Sequence, residues 1–119
     1  MRRVAIADDT RGMRVVLSGI LRDEGYDVRE ARDGADLLAL VARFNPDVIV
    51  TDFRMPRMTG LDVLRVLREQ SPRVRVILMT ASPLEDVYGP ALSLGAAAVL
   101  AKPFDLRDLL AAIDPPQAC

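Results

Sequence analysis

Along the chain, short apolar runs alternate with longer segments in which apolar residues recur every three or four positions, with Gly, Pro, Asn and Asp between them. Val4 to Ala7 is the first short run, and Met13, Val16, Leu17, Ile20 and Leu21 mark one face of a helix ending near Gly25. Tyr26 to Ala31 alternates weakly and carries charges, which predicts a strand near a sheet edge. Leu37, Leu38, Val41 and Phe44 stripe a second helix, stopped by Asn45-Pro46. Val48, Ile49 and Val50 then form a β-branched, buried strand. Leu61, Leu64, Val66 and Leu67 predict the third helix, Val74 to Met79 the fourth strand, Ala98 to Ala101 the fifth, and Leu106, Leu109, Leu110 and Ile113 the closing helix.

The segment between the fourth and fifth strands is weakly helical. In SPLEDVYGPALSLG, an interior proline would remove a backbone donor and destabilise a helix by about 3 kcal/mol. The expectation is therefore a loop from Ser82 to Gly89, with helix restarting at Pro90 as its first residue. Strands alternating with helices imply right-handed crossovers, giving an α/β fold with a doubly wound, five-stranded parallel sheet and helices on both faces. The leading strand order is the flavodoxin-like 2-1-3-4-5. Residues 1–114 read as one domain, and 115–119, opening with Pro115-Pro116, as a C-terminal tail or the start of a linker.

Composition narrows the chemistry. A chain of 119 residues with half its residues hydrophobic fits one domain that buries roughly two thirds of its unfolded surface. The formal net charge is -1 with both signs interspersed, so no sequence-wide basic field points to nucleic acid or an anionic membrane. No stretch approaches a membrane span, and the start MRRVAIADDT is too soon interrupted by acids to form a signal-peptide core, which suggests a cytoplasmic domain. One cysteine, Cys119, excludes an intrachain disulfide, and the lack of histidine excludes the usual zinc frameworks and triads. Carboxylates, hydroxyls and one amine remain, because Lys102 is the single lysine beside fifteen arginines.

In an open parallel sheet, ligands bind beyond the carboxyl ends of the strands, where the strand order reverses. The first strand ends in Asp8-Asp9, the third in Asp52, the fourth in Thr80 and the fifth in Lys102. Each has an ordinary reading: Asp8-Asp9 as caps of the next helix, Asp52 and Thr80 as loop-entry residues, Lys102 as solvated surface. Brought together, however, three carboxylates repel unless a cation neutralises them, and an all-oxygen ligand set suits a hard divalent ion such as Mg²⁺. A carboxylate between such an ion and an ammonium is placed to attack a phosphoryl group. Lys supplies a compact point charge there where Arg would present a wider fork.

IADD (Ile6 to Asp9), VTDFRMPRMTG (Val50 to Gly60), LMTAS (Leu78 to Ser82) and LGAAAVLAKPF (Leu94 to Phe104), in this order, resemble the receiver domain of two-component response regulators. The resemblance covers essentially the whole chain. It implies that Asp52 is the phosphoacceptor, that Asp8, Asp9, Asp52 and the backbone carbonyl of Arg54 hold Mg²⁺ or Mn²⁺, and that Thr80 and Lys102 couple phosphorylation to conformational change. It also implies a cis peptide at Lys102-Pro103. The implied partners are a histidine kinase or histidine phosphotransfer protein, with a homodimer or downstream effector beyond it, and no direct binding of nucleic acid or membrane. Such a domain is a signalling switch that catalyses only its own phosphoryl transfer and dephosphorylation.

Two positions depart from the family pattern: Val99 stands where the family has an aromatic switch residue, and Gly89-Pro90 where it has continuous helix. Both fall on the face that usually carries output. A phosphatase of the haloacid dehalogenase type would need an acid two residues after its nucleophile, where this chain has Arg54. A flavodoxin-like cofactor module would need a Ser/Thr/Gly-rich phosphate loop in place of Asp8-Asp9-Thr10-Arg11. The alternative that stays open is a receiver-fold protein-protein interaction module that signals without phosphorylation.

Overall fold

The computed structural model describes residues 2–81 and 84–114. Ser82, Pro83 and the 115–119 segment, read as a tail or linker, lie outside the described residues. Five strands, β1 (Arg3–Ala7), β2 (Asp27–Ala31), β3 (Val48–Asp52), β4 (Arg75–Thr80) and β5 (Ala98–Ala101), alternate with α1 (Arg11–Asp23), α2 (Gly34–Phe44), α3 (Gly60–Gln70), α4 (Leu84–Ser93) and α5 (Leu106–Ile113). All pairings are parallel and the order is β2-β1-β3-β4-β5, as the alternation of apolar runs and helical stripes predicts. β2 lies at an edge, in keeping with its charged positions.

Period-two alternation divides each strand between two cores. Val4, Ile6, Val48, Val50, Ile77 and Met79 pack with Leu17 and Leu21 of α1 and Leu109 and Ile113 of α5. Ala5, Ala7, Ile49, Val76, Leu78 and Val99 pack on the other face with residues of α2, α3 and α4, among them Leu37, Leu64 and Val87. Strands buried on both faces read as the near-continuous apolar runs of the sequence. Asn45 ends α2 in the left-handed conformation at φ 54°, just before Pro46, where the sequence places the helix stop.

Two expectations are corrected. The loop expected from Ser82 to Gly89 is, over its described part from Leu84, helical: α4 begins at Leu84 and contains Pro90 in its interior. Tertiary packing decides this, because Val87 and Ala91, four residues apart on one face, are buried in the core. Pro90 and Asp86 are both exposed, so the hydrogen bond missing for want of the proline's donor falls on the outer side of the helix. The second correction is Val16, expected on the buried stripe of α1 but 56% exposed. The buried face is centred on Leu17, Ser18 and Leu21, which turns Val16 to its flank.

Candidate functional site

The alternation that builds the core also assembles the site. Asp8 continues the row of Val4 and Ile6, Asp52 the row of Val48 and Val50, and Lys102 the row of Ala98 and Leu100, all on the face covered by α1 and α5. The β1 and β3 register pairs Ile6 with Val50 and Ala7 with Thr51, so the next step sets Asp8 beside Asp52. β4 intervenes between β3 and β5, so Lys102 starts about two strand spacings from Asp52, roughly 10 Å. Its long, flexible stem spans that gap. Lys102 Nζ lies 3.3 Å from Asp8 Oδ2 and 3.3 Å from Asp52 Oδ1.

Each loop fixes its acid by backbone hydrogen bonds. Asp8 N donates to Ala31 O at 3.2 Å, prolonging the β1 and β2 pairing, and Thr10 N donates to Asp8 Oδ1 at 2.8 Å. Thr10, not either acid, is the N-cap of α1, so the ordinary capping role does not account for Asp8-Asp9. After Asp52, Phe53 N donates to Met79 O and Gly60 N to Phe53 O, both at 2.7 Å. Thr59 and Asp62 form a capping box at the start of α3. Gly60 lets that helix press on the strand end: a Cβ there would stand 2.8 Å from Leu78 Cδ2 and 3.1 Å from Asp52 O. The loop also holds Arg57 at φ 70°, a strained conformation for a non-glycine residue.

Asp8, Asp9 and Asp52 each place a carboxylate oxygen within 4.8 Å of the others. Asp8 is 1% exposed and Asp52 7%, while Asp9 is open to solvent. Burial raises the Asp52 carboxyl above the ordinary carboxylate range; the Lys102 ammonium opposes this, and Asp8 and Asp9 add to it. Three carboxylates against one ammonium leave a net negative site. Carboxylate oxygens with a solvent-open member are the donor set of a hard divalent ion that retains water, so the residues fit Mg²⁺ or Mn²⁺.

The structure thus brings together Asp8, Asp9, Asp52 and Lys102. Thr80, 1% exposed, ends β4 beside them, and Lys102 N donates to Thr80 O at 2.7 Å. The Arg54 side chain is exposed, with its guanidinium carbon 6.0 Å from the Phe53 ring centroid. Lys102-Pro103 is cis. Val99 is buried in the cluster that includes Val87 and Ala91 of α4, and no aromatic ring occupies that position. Sequence reasoning missed Arg14, whose Nη1 donates to the Asp8 carbonyl at 2.7 Å. No signal separates it from the other arginines, because its partner is a backbone oxygen. A cleft of about 440 Å³ lined by Val41, Pro46 and Val74 opens at the opposite, amino ends of the strands, away from the acids.

Residues 4–114 match the response regulator receiver domain. Sporulation initiation phosphotransferase F of Bacillus subtilis is 32% identical over 111 residues, which cover 93% of this chain and 90% of that protein. The response regulator MprA of Mycobacterium leprae is 40% identical over 111 residues, 93% of this chain but 49% of MprA, so the chain spans about half the length of that relative. The crystal structure of a response regulator receiver domain protein from Clostridium thermocellum superposes with a TM-score of 0.91 at 28% identity, covering 96% of this chain and 92% of that one. With the acid cluster at the strand ends, these likenesses show that the chain belongs to the response regulator receiver domains, the signalling switches of two-component systems.

Proposed function

We propose that Asp52 is the phosphoacceptor, taking a phosphoryl group from a phosphohistidine of a sensor kinase or histidine phosphotransfer protein. The observation that carries this reading is the Lys102 ammonium 3.3 Å from both Asp8 Oδ2 and Asp52 Oδ1 at the carboxyl edge of the sheet. Similarity over 90% of a protein named a phosphotransferase supports it.

Asp8, Asp9 and Asp52, with the backbone carbonyl of Arg54, are the residues that would hold Mg²⁺ or Mn²⁺. That ion, when bound, supplies positive charge that stabilises the phosphoryl oxygens in the transition state. The chain's own residues do the rest. An Asp52 carboxylate oxygen forms a bond to phosphorus as the phosphorus-nitrogen bond to the donor imidazole breaks. Lys102, already poised on Asp52, shifts its donors toward the transferred oxygens, and the Thr80 hydroxyl adds another donor. Because Lys102 N is bonded to Thr80 O, a pull on either strand end is felt by both β4 and β5. Dephosphorylation is the reverse demand: water attacks the same phosphorus with Asp52 as leaving group.

The same reading places the domain, residues 1–114, in the cytoplasm, with a homodimer or downstream effector receiving the signal and with no direct contact to nucleic acid or membrane. A net charge of -1 supports this, and among the described residues no helix is long and apolar enough to cross a membrane. Acetyl phosphate with and without Mg²⁺, followed by intact mass, tests the proposal. Added phosphoryl mass that requires Mg²⁺ and vanishes in Asp52→Asn is expected; no added mass, or mass that survives in Asp52→Asn, overturns it.

A further inference from the structure

Arg14 lies in the first turns of α1 with only 14% of its side chain exposed. Most arginines on an amphipathic surface helix keep the guanidinium in water. This one turns inward, donating from Nη1 to the backbone carbonyl of Asp8 at 2.7 Å and placing Nε 3.6 Å from Glu30 Oε1 on β2. The β1 and β2 register explains why Glu30 is there: it pairs with Ile6, whose side chain faces α1, so Glu30 stands under the same helix. Glu30 is itself only 29% exposed.

Asp8 is thereby held at every polar group. Its amide donates to Ala31 O, its carboxylate takes Thr10 N on Oδ1 and Lys102 Nζ on Oδ2, and its carbonyl takes Arg14. The last bond differs in kind, because that carbonyl belongs to the Asp8-Asp9 peptide. Fixing the peptide plane fixes the direction in which the chain enters Asp9, the solvent-open acid of the cluster. We propose that Arg14, braced by Glu30, is a positioning residue: it locks the Asp8-Asp9 peptide so that the acid cluster binds a divalent cation tightly. This rests on the acid cluster being the cation site.

A purely structural tie between α1 and β2 is the competing explanation, and Arg22 provides the control. Its Nη2 donates to Val28 O at 3.0 Å and stands 4.0 Å from Glu30 Oε2, joining the same elements without touching Asp8. Titration calorimetry of the whole chain with Mg²⁺ tests the proposal on Arg14→Met, Arg14→Lys, Arg22→Met, Glu30→Gln and Asp9→Asn. Arg14→Met is expected to weaken Mg²⁺ binding on the order of 10-fold, the usual effect of losing a group that orients a metal ligand. Arg14→Lys, which keeps a charged donor for the carbonyl, recovers most of it; Arg22→Met binds as the wild type does. The Asp9 amide nitrogen resonance, sensitive to the hydrogen bond its peptide carbonyl accepts, moves in Arg14→Met before any metal is added.

Wild-type affinity in Arg14→Met, or an equal loss in Arg22→Met, overturns the proposal. Should Arg14→Met fail to fold, Glu30→Gln carries the test: a smaller weakening in the same direction supports the brace, and no change overturns it. Asp9→Asn separates the two levels. If it retains wild-type Mg²⁺ binding, the cation-site reading falls and this inference with it; if it loses binding while Arg14→Met does not, only the role of Arg14 is refuted.

Discussion

Lys102 Nζ and Asp52 Oδ1 are 3.3 Å apart although their strands are separated by β4, and the same ammonium reaches Asp8 Oδ2 at an equal distance. One flexible point charge therefore serves two acids on two strands. A guanidinium is wider and planar, so its fork would have to take up a different position to reach the same oxygens. Lys102→Arg is expected to keep the net charge yet impair switching. Loss of a charge-assisted hydrogen bond weakens coupling by about 1.5 to 3 kcal/mol, a fall of roughly ten-fold or more in the switching equilibrium constant. Hydrogen exchange over α4 and β5, with and without phosphorylation, measures it; a wild-type response in the variant refutes the argument.

Asp52 is one of two buried members of a crowded acid cluster, and its carboxyl lies above the ordinary 3.8, burial being the largest cause. The folded state thus holds this proton more tightly than the unfolded chain does. Stability contributed here falls as pH rises from 3.8 through the raised value, and at neutral pH the ionised form works against folding. Asp52→Asn should raise the melting temperature at pH 7 in the absence of divalent ions. The difference from the wild type should shrink on acidification toward pH 4. A variant less stable than the wild type at neutral pH contradicts this balance.

Gly60 opens α3 against the backbone that carries Asp52. A Cβ at this position meets Leu78 Cδ2 at 2.8 Å and the Asp52 carbonyl oxygen and Phe53 Cα at 3.1 Å. Gly60→Ala is expected to destabilise the domain by about 1 to 3 kcal/mol through overpacking. Backbone cannot give way as a side-chain tip can, so amide resonances from Asp52 to Phe53 should shift. Chemical denaturation and NMR together check this, and an unchanged stability would show that the helix start is loosely seated.

The capping box at the same helix start makes a pH-dependent contribution. Thr59 N donates to Asp62 Oδ2 at 2.9 Å, and that bond is the main reason the Asp62 carboxyl lies below the ordinary 3.8. A depressed carboxyl stabilises the fold above 3.8, and that contribution is lost as pH falls through the folded value. Thr59→Ala should cost about 1 kcal/mol at pH 7. For Asp62→Asn, the gap to the wild type should narrow below pH 3.8. A gap independent of pH would mean the carboxylate charge contributes nothing at this cap.

The strand ends were legible in the sequence because two independent signals agree there: apolar runs that stop, and chemistry-bearing residues that begin. Lys102 stood out by being the single lysine. Arg14 did not, since an arginine whose partner is a backbone carbonyl leaves no mark on neighbouring residue types. α4 was misread because Gly89-Pro90 is a strong local stop, whereas the helix is held by Val87 and Ala91 packing across the sheet, a long-range effect. Val16 was misplaced because several apolar residues on α1 allow more than one stripe, and only the position of the sheet selects the one centred on Leu17 and Leu21. The site residues escaped that ambiguity, because period two in a strand leaves only two faces to choose between.

The central claim is that Asp52 carries the phosphoryl group, and chemical trapping at that residue tests it most directly. After incubation with acetyl phosphate and Mg²⁺, borohydride reduces an aspartyl phosphate to homoserine, and peptide mapping locates the change. The account predicts homoserine at position 52 alone, absent when Mg²⁺ is withheld. Conversion at Asp8 or Asp9, or none at Asp52 under these conditions, would contradict it.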